Sequence, residues 1–305
     1  MKVLVIGGTG HVGSFLVPML LKQGHEVYVG TRGLRPAHTG SALDGAQFIT
    51  CNAGDEESLK ELRKYHFDAV AEFPGKAYAV WNALKDDIGH LVACGSLWMF
   101  GYPRVVPTPE LYQNPCLFGG YDVRYPQICE MIAQSSACKA EFTAIMPPNI
   151  CGPGKVPLDQ MGGRSVECHK ALQRGETVIL PDGPEALIGP CDAEDIAALF
   201  ALAINNRTAA AGQIFNVGAA DSVTGTQLVQ LFSEIYGVDI PVERVSWETY
   251  TTEINPDMGN WWHFYAHMLP DISKARKLLG YEPKYSAKET LRRAVDWMRS
   301  EGLIE

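Results

Sequence analysis

The chain has 305 residues, of which 46% are hydrophobic and 20% are charged, a balance that is typical of a globular protein with a sizeable core and excludes global disorder. Its 26 Lys and Arg stand against 35 Asp and Glu, and the net charge of -9 argues against a broad basic surface for nucleic acid or anionic membranes. No apolar stretch approaches the ~20 residues that span a bilayer, and the N-terminus lacks the pattern of a secretory signal, so we expect a cytoplasmic protein.

Strand and helix patterns alternate along the first half of the chain. Val12, Phe15, Leu16 and Met19 fall on one face of a helix, which Pro18 should either bend or deprive of a hydrogen bond. The predicted strands are 2–6, 26–30, 47–50, 68–73 and 88–94, and the further predicted helices are 55–64 and 77–85. This alternation indicates βαβ units, and therefore a parallel sheet with helices on both faces.

The second half of the chain is less regular. The predicted helices are 121–137, broken near its start by Pro126, then 165–174, 193–205, 225–236 and 287–300; the predicted strands are 141–146, 177–180 and 213–217. We therefore predict an α/β fold with a Rossmann-type, doubly wound parallel sheet and a smaller, interleaved C-terminal substrate lobe. Residues 1–150 would form the nucleotide-binding domain and 151–305 mainly the substrate lobe, with about 190–220 returning to the main sheet.

A glycine-rich loop joins the first strand to the first helix. Gly7, Gly10 and Gly13 are spaced as GxxGxxG, where one glycine makes the turn, one lets a diphosphate approach the backbone, and one lets the helix pack on the strand. The N-terminus of the helix adds unpaired N–H groups and a positive dipole end. The loop predicts a dinucleotide site formed by Gly7, Thr9, Gly10, His11, Val12 and Gly13.

The end of the second strand should select the cofactor. An acidic residue there binds the adenosine ribose of NAD, whereas an arginine suits the extra phosphate of NADP. The sequence at this point has no carboxylate but has Thr31, Arg32 and Arg35. We predict that NADP is preferred over NAD, with the alternative that both arginines are solvated loop charges.

Six motifs appear in the order in which one enzyme family carries them. They lie at residues 7–13, 51–55, 68–73, 147–154, 192–197 and 271–283. Together they resemble the extended short-chain dehydrogenase/reductases, the NAD(P)-dependent epimerase/dehydratase family, over nearly the whole chain. The resemblance implies hydride transfer on a sugar, a nucleotide sugar or a related polyol. It also implies that Asn52, Phe73, Pro148, Asn149 and Ile150 belong to the cofactor site.

The catalytic residues implied by the resemblance are incomplete. The family uses a Ser or Thr, a Tyr, and a Lys four residues after the Tyr. Ser96 and Tyr121 stand at the family's spacing, but the fourth residue after Tyr121 is Tyr125, and the fourth after Tyr125 is Cys129. We nominate Ser96, Tyr121 and Tyr125 as catalytic, with the alternative that both tyrosines only line a pocket.

A nearby cation could replace the missing lysine only in part. Arg124 adjoins that position, but on a regular helix of 3.6 residues per turn it projects about 100° away from it. A distortion of the helix at Pro126 would be needed to bring the guanidinium into the site.

Four further residues are candidates for contact with the substrate. Glu72 ends an apolar strand and could hold a hydroxyl group or act as a base. Trp98 follows Ser96, and Trp262 and His263 belong to the aromatic and imidazole cluster at 261–267. Sugar rings stack on such aromatic faces; the alternative is that the cluster only packs the smaller lobe.

We expect no metal site, because the scattered cysteines form no CxxC pair and the Glu167-Cys168-His169 run lacks a fourth ligand. A small sugar derivative is the expected partner, without nucleic acid or membrane, and the resemblance implies that a homodimer can form.

Two alternatives to this function remain open. One is a nucleotide-binding regulator or RNA-associated protein of the same fold, because divergent members without the lysine have such roles. The other is a non-redox lyase or isomerase.

Overall fold

The structure is a computed structural model that describes residues 1–33, 43–116 and 120–305. The strands are β1 (Lys2–Ile6), β2 (Glu26–Thr31), β3 (Gln47–Thr50), β4 (Ala69–Glu72), β5 (His90–Cys94), β6 (Glu141–Met146), β7 (Asn149–Cys151), β8 (Val178–Pro181), β9 (Pro190–Asp192), β10 (Ile214–Asn216) and β11 (Val242–Val245). The helices are α1 (Gly13–Lys22), α2 (Glu56–Lys60), α3 (Ala77–Leu84), α4 (Tyr121–Gln134), α5 (Val166–Gln173), α6 (Ala193–Asn205), α7 (Arg207–Ala210), α8 (Gly225–Tyr236), α9 (Trp247–Thr249), α10 (Met258–Trp261), α11 (Ser273–Leu279) and α12 (Ala287–Ser300).

Seven strands form one parallel sheet in the order β10-β6-β5-β4-β1-β2-β3. Alternate residues of β1 point to opposite faces: Val3 and Val5 pack in one hydrophobic cluster with α1 and α6, and Leu4 and Ile6 pack in another with α3. Apolar runs that are buried on both faces are what a parallel sheet needs. The predicted α/β fold with a doubly wound parallel sheet is therefore confirmed.

A smaller lobe is built from the later part of the chain. Strand pairs β8–β11 and β7–β9 lie outside the main sheet, and α8 and α12 supply buried side chains such as Phe232 and Leu291 to a third hydrophobic cluster. Helix α12 begins with a capping box between Ser286 and Glu289, which satisfies two N–H groups at its first turn. Strand β10 pairs with β6 of the main sheet. The division into domains at residue 150 stays a prediction.

Proline does not break the helices in which it lies. The prediction that Pro126 interrupts the helix near its start is wrong, because α4 runs without a break through this position. Pro126 is exposed, so its ring is accommodated toward solvent, although one backbone hydrogen bond is lost. Pro18 lies inside α1 in the same way.

Three short strands, β7, β9 and β11, escaped prediction because segments of 3 or 4 residues are too short for hydrophobic periodicity to show. Within the described residues, none of the helices combines the length and the apolar character needed to cross a membrane.

Phe200 on α6 tests the packing that supports the edge of the sheet. Its side chain is fully buried and its ring centroid lies 4.6 Å from that of Phe73, which follows β4. We expect Phe200→Ala to lower the free energy of unfolding by about 3–5 kcal/mol, because it leaves a cavity. Phe48→Ala, at a side chain that is 56% exposed, should cost well under half as much. Equal losses in denaturant titrations of the two variants would contradict this role of Phe200.

Candidate cofactor and substrate site

A cavity of about 550 Å³ lies at the carboxyl ends of the central strands, which is where ligands bind in open parallel sheets. Its wall includes the last residue of β1, the last two of β2 and the last of β5, together with Lys155 from the loop after β7. The described lining residues are Ile6, Gly7, Thr9, Gly10, His11, Val12, Gly13, Gly30, Thr31, Arg32, Cys51, Asn52, Ala53, Gly54, Phe73, Pro74, Lys76, Cys94, Ile150 and Lys155.

The glycine loop has a geometry that side chains would prevent. Gly7 adopts a φ of 82°, and its carbonyl accepts from the N–H of Gly10 at 2.8 Å. A Cβ atom on Gly13 would lie 2.4 Å from the Gly7 carbonyl oxygen and 2.7 Å from the Cα of Gly8. Gly13 therefore lets α1 begin against the loop, and the N-terminus of α1 faces the cavity with N–H groups suited to an anion.

The charges that line the cavity are positive. Arg32, Lys76 and Lys155 line it, and none of the described lining residues is Asp or Glu. The whole chain carries a net charge of -9, so this local excess of cations is not a reflection of composition. A cleft of this kind suits a ligand with several phosphate charges.

Most of the nominated cofactor residues lie together on this lining; they are Gly7, Thr9, Gly10, His11, Val12, Gly13, Thr31, Arg32, Asn52, Phe73 and Ile150. Pro148 and Asn149 do not line the cavity, and the side-chain oxygen of Asn149 accepts from the N–H of Gly189 at 3.0 Å. Arg35 lies outside the described residues. The assignment of all these residues to cofactor binding stays a prediction.

Sequence reasoning missed several residues of the lining. Gly30 lies where a Cβ atom would be 3.2 Å from the Cβ of Cys51, so the strand and the loop after β3 approach closely there. Lys155 directly follows the motif at 147–154, and its place next to that motif was the available signal. Cys94 is the last residue of β5, which parallel topology alone would have placed at the same edge.

Ser96 lies just beyond β5 and is 8% exposed. Its Oγ accepts from the N–H of Trp98 at 3.3 Å and so begins the 3-10 turn Leu97–Phe100. The N–H of Leu97 donates to the carbonyl of Pro147 at 2.9 Å, which ties this turn to the end of β6. Ser96 is thus held in a fixed position beside the cavity without being one of its lining residues.

The two nominated tyrosines have different surroundings on α4. Tyr125 packs edge-on to Phe100, with ring centroids 5.7 Å apart, and stacks on Tyr112 at 5.3 Å. Burial raises the pKa of Tyr125 to about 12. Tyr121 is the first residue of the helix and is partly buried. Neither tyrosine lines the cavity.

Arg124 reaches the strand end that borders the cavity, although the helix itself is regular. Its Nη2 donates to the carbonyl of Cys94 at 3.3 Å, and its guanidinium carbon lies 5.5 Å from the ring centroid of Tyr121. The long side chain thus reaches the end of β5 from the first turn of α4, and the idea that Arg124 can replace the lysine only through a distorted helix stays a prediction.

Glu72 is fully buried at the end of β4 and does not line the cavity. Its Oε1 accepts from the N–H of Lys76 at 2.6 Å, at the N-terminus of α3, and its buried Oε2 has no hydrogen-bond partner in the described part of the chain. Burial raises the pKa of Glu72 to about 7, while the charge of Arg124 acts in the opposite direction. One carboxyl oxygen of Glu72 therefore accepts a hydrogen bond at the start of α3, and the other has no hydrogen-bond partner among the described residues.

Trp98, Trp262 and His263 form one cluster between the two lobes. The ring centroid of Trp98 lies 5.5 Å from that of His263 and 6.4 Å from that of Trp262. His263 Nδ1 donates to the carbonyl of Asn260 at 3.1 Å, and burial lowers the pKa of His263 to about 4, so the imidazole is neutral at neutral pH. The structure thus brings together three of the four residues nominated for substrate contact and leaves Glu72 apart.

Gly13 and Gly54 provide a matched test of the loop, since both line the cavity. Gly13→Ala must displace the loop backbone, whereas a Cβ atom on Gly54 would meet only the Asn52 side-chain oxygen at an ordinary 3.6 Å. Strain on the order of 1–3 kcal/mol should weaken binding of NAD or NADP by about tenfold or more in Gly13→Ala and little in Gly54→Ala. Calorimetry and melting curves measure both; a Gly13→Ala protein that melts and binds like the parent would refute the assignment.

Comparison with known proteins agrees with this geometry. The sequence model of the NAD dependent epimerase/dehydratase family matches residues 3–92. The chain is 25% identical to UDP-glucose 4-epimerase of Lactobacillus helveticus over 98% of each chain, and 24% identical to the chloroplast stem-loop binding protein of 41 kDa b of Arabidopsis thaliana over 95% of this chain and 77% of that one. The fold is similar to that of UDP-glucose 4-epimerase of Stenotrophomonas maltophila, solved with NAD and a formylated UDP-arabinopyranose, with a TM-score of 0.78 at 18% identity over 99% of each chain. The chain therefore matches this family at its N-terminal part and is similar to UDP-glucose 4-epimerases over nearly its whole length.

Proposed function

We propose that this protein is a nicotinamide-dependent enzyme that transfers hydride on a nucleotide sugar or a related sugar, as an epimerase or an oxidoreductase. The observation that carries the proposal is the cavity itself, which has a glycine loop at the start of α1 and three cations but no carboxylate among its described lining residues. The names of the relatives, which are UDP-glucose 4-epimerases, support a nucleotide sugar as the substrate class.

The cofactor site fits a dinucleotide. When bound, the nicotinamide would supply the hydride acceptor and donor. The glycine loop and the N-terminus of α1 would hold the diphosphate. The second strand ends at Thr31 and is followed by Arg32, without a carboxylate, which favours the phosphate of NADP over the bare ribose of NAD. Solved relatives carry NAD, so the preference for NADP would set this chain apart.

Residues that follow β5 along the chain would orient the substrate and exchange a proton with it. Ser96 would orient the substrate oxygen, and Tyr121 would exchange its proton. Arg124 would act as the cation of this group, because its guanidinium lies near the Tyr121 ring and at the Cys94 carbonyl. We assign Tyr125 to packing rather than to proton transfer, because its ring contacts those of Phe100 and Tyr112. Trp98, Trp262 and His263 would border the sugar.

The direct test is incubation of the purified protein with UDP-glucose and UDP-galactose, each with NAD and with NADP. We expect interconversion of the two sugars or net reduction of the cofactor, measured by chromatography and by absorbance of the reduced nicotinamide. Absence of both, across a panel of nucleotide sugars, would contradict the proposal.

A second candidate is an RNA-associated protein, favoured by the name of the stem-loop binding relative and opposed by the net charge of -9. Tight binding of a stem-loop RNA at physiological salt, without turnover of any sugar, would favour it. The cytoplasmic location and the homodimer also stay predictions.

Arg32→Ala should remove the preference for NADP. A hydrogen bond to a charged group contributes about 1.5–3 kcal/mol, so we expect affinity for NADP to fall by roughly 10–150-fold while affinity for NAD changes little. Arg174→Ala, which removes an exposed arginine paired with Glu176, is the control. Calorimetry that shows NAD bound more tightly than NADP by the parent protein would overturn the prediction.

Tyr121→Phe and Tyr125→Phe separate the two tyrosines. Each change keeps the ring and removes the hydroxyl group, so packing is preserved. We expect Tyr121→Phe to lower kcat by about 10²–10⁴-fold with nearly unchanged cofactor affinity, and Tyr125→Phe to stay close to the parent because its ring is occupied by Phe100 and Tyr112. Full activity of Tyr121→Phe would exclude Tyr121 as the proton-exchanging group.

A further inference from the structure

Lys155 lines the same cavity as the glycine loop. It lines the cavity together with residues 9–13, although it belongs to the loop that follows β7. His11 Nε2 donates to the carbonyl of Pro153 at 2.8 Å, and this bond holds the Lys155 loop against the glycine loop. Gly152 and Gly154 adopt φ angles of 97° and 96°, which other residues rarely adopt.

The backbone around Lys155 also has contacts with Asp192 and Arg164. A Cβ atom on Gly152 would lie 2.8 Å from Asp192 Oδ2, so the loop rests directly on that carboxylate. Arg164 donates to the carbonyls of Val156 and Ile150 at 2.6 and 2.9 Å. The loop therefore has contacts on both sides of Lys155.

The Lys155 ammonium has no anionic partner in the described part of the chain. Asp192, which lies against Gly152 of the same loop, pairs with Arg293 at 2.9 Å, and Glu72, at the end of β4, accepts from the start of α3. The neighbouring thiols do not supply charge either, because burial raises the pKa of Cys94 to about 12 and that of Cys151 to about 11. A half-buried cation in a cleft without a counter-ion is a site for a ligand anion.

We propose that Lys155 binds a diphosphate oxygen of the ligand in this cleft, so that the diphosphate lies between the glycine loop and the loop of the smaller lobe. The proposal deepens the proposed function and rests on it only for the class of ligand. One possible source of this diphosphate is the dinucleotide cofactor, whose diphosphate would also contact the glycine loop. The diphosphate of a nucleoside diphosphate sugar has the same chemistry, and the experiment separates the two.

Such a contact couples ligand binding to protonation. Burial, with help from the charge of Arg164, lowers the pKa of Lys155 to about 8. A bound diphosphate would raise this pKa again, because an opposite charge favours the ammonium. Binding should therefore take up protons above pH 8, and affinity should be highest below pH 8 and fall as the pH rises beyond it.

The experiment is calorimetric titration of the parent with NAD, NADP, ADP, adenosine and UDP at pH 7, 8 and 9, in buffers of different ionisation enthalpy. For a diphosphate ligand of this site we expect uptake of about half a proton at pH 8 and an affinity about tenfold lower at pH 9 than at pH 7. Adenosine, which has no phosphate, should show neither effect. Uptake with NAD, NADP and ADP identifies the cofactor as the source, and uptake with UDP alone identifies the sugar nucleotide.

Variants assign the proton to Lys155 rather than to other groups near it, such as Glu72, His11 and Asp192. Lys155→Met should abolish the uptake and weaken binding at pH 7 by about tenfold or more. Lys155→Arg keeps the charge over this pH range, so it should retain affinity at pH 7 and lose the pH dependence. Lys170→Met, which removes an exposed lysine paired with Glu167 at 2.9 Å, should behave as the parent.

Unchanged proton uptake and affinity in Lys155→Met, or no uptake with any phosphorylated ligand, would overturn the inference. These results are distinct from a failure of the proposed function. A parent protein that converts a nucleotide sugar without Lys155-dependent uptake leaves the function standing and removes the inference. A parent protein that takes up protons through Lys155 but turns over no sugar supports the inference and contradicts the proposed function.

Discussion

The parallel pairing of β1 with both β2 and β4 is the constraint on which the rest of the structure depends. Because neighbouring strands run in one direction, their carboxyl ends meet at one edge of the sheet. The central strand β1 is buried by apolar clusters on both faces, so the groups that can meet a polar ligand lie where the strands end. Gly7, Thr31 and Cys94 are all such positions, and together they make the wall of a single cavity.

The positive character of that cavity results from where the carboxylates are used. An acidic chain would be expected to place acids at any exposed edge, yet the carboxylates of Glu72 and Asp192 are bound to other groups. Glu72 faces the start of α3, and Asp192 pairs with Arg293 beneath the loop after β7. Burial raises the pKa of Glu72 to about 7, which further limits the negative charge that this group can bring to the edge near neutral pH. Arg32, Lys76 and Lys155 are thereby left as the charges on the described lining of the cavity.

The sequence predicts those parts of the fold and site that are contiguous along the chain. The strand, glycine loop and helix at residues 2–22 depend on local periodicity and on the special role of Gly13, and all three are readable without a structure. The meeting of Trp98 with His263, and of Arg124 with Cys94, depends on contacts between distant segments. No periodicity reports such contacts, and strands as short as β7 and β9 leave no pattern.

Two cations converge on Cys94, one from α4 and one from the smaller lobe, and their chemistry differs. Arg124 donates to the Cys94 carbonyl through its planar guanidinium. Lys155 lies close enough for its charge to act on the Cys94 thiol, but its amine loses its proton a little above neutral pH. The guanidinium therefore belongs to the sheet edge, at the end of β5, and the titrating amine belongs to the loop that follows β7.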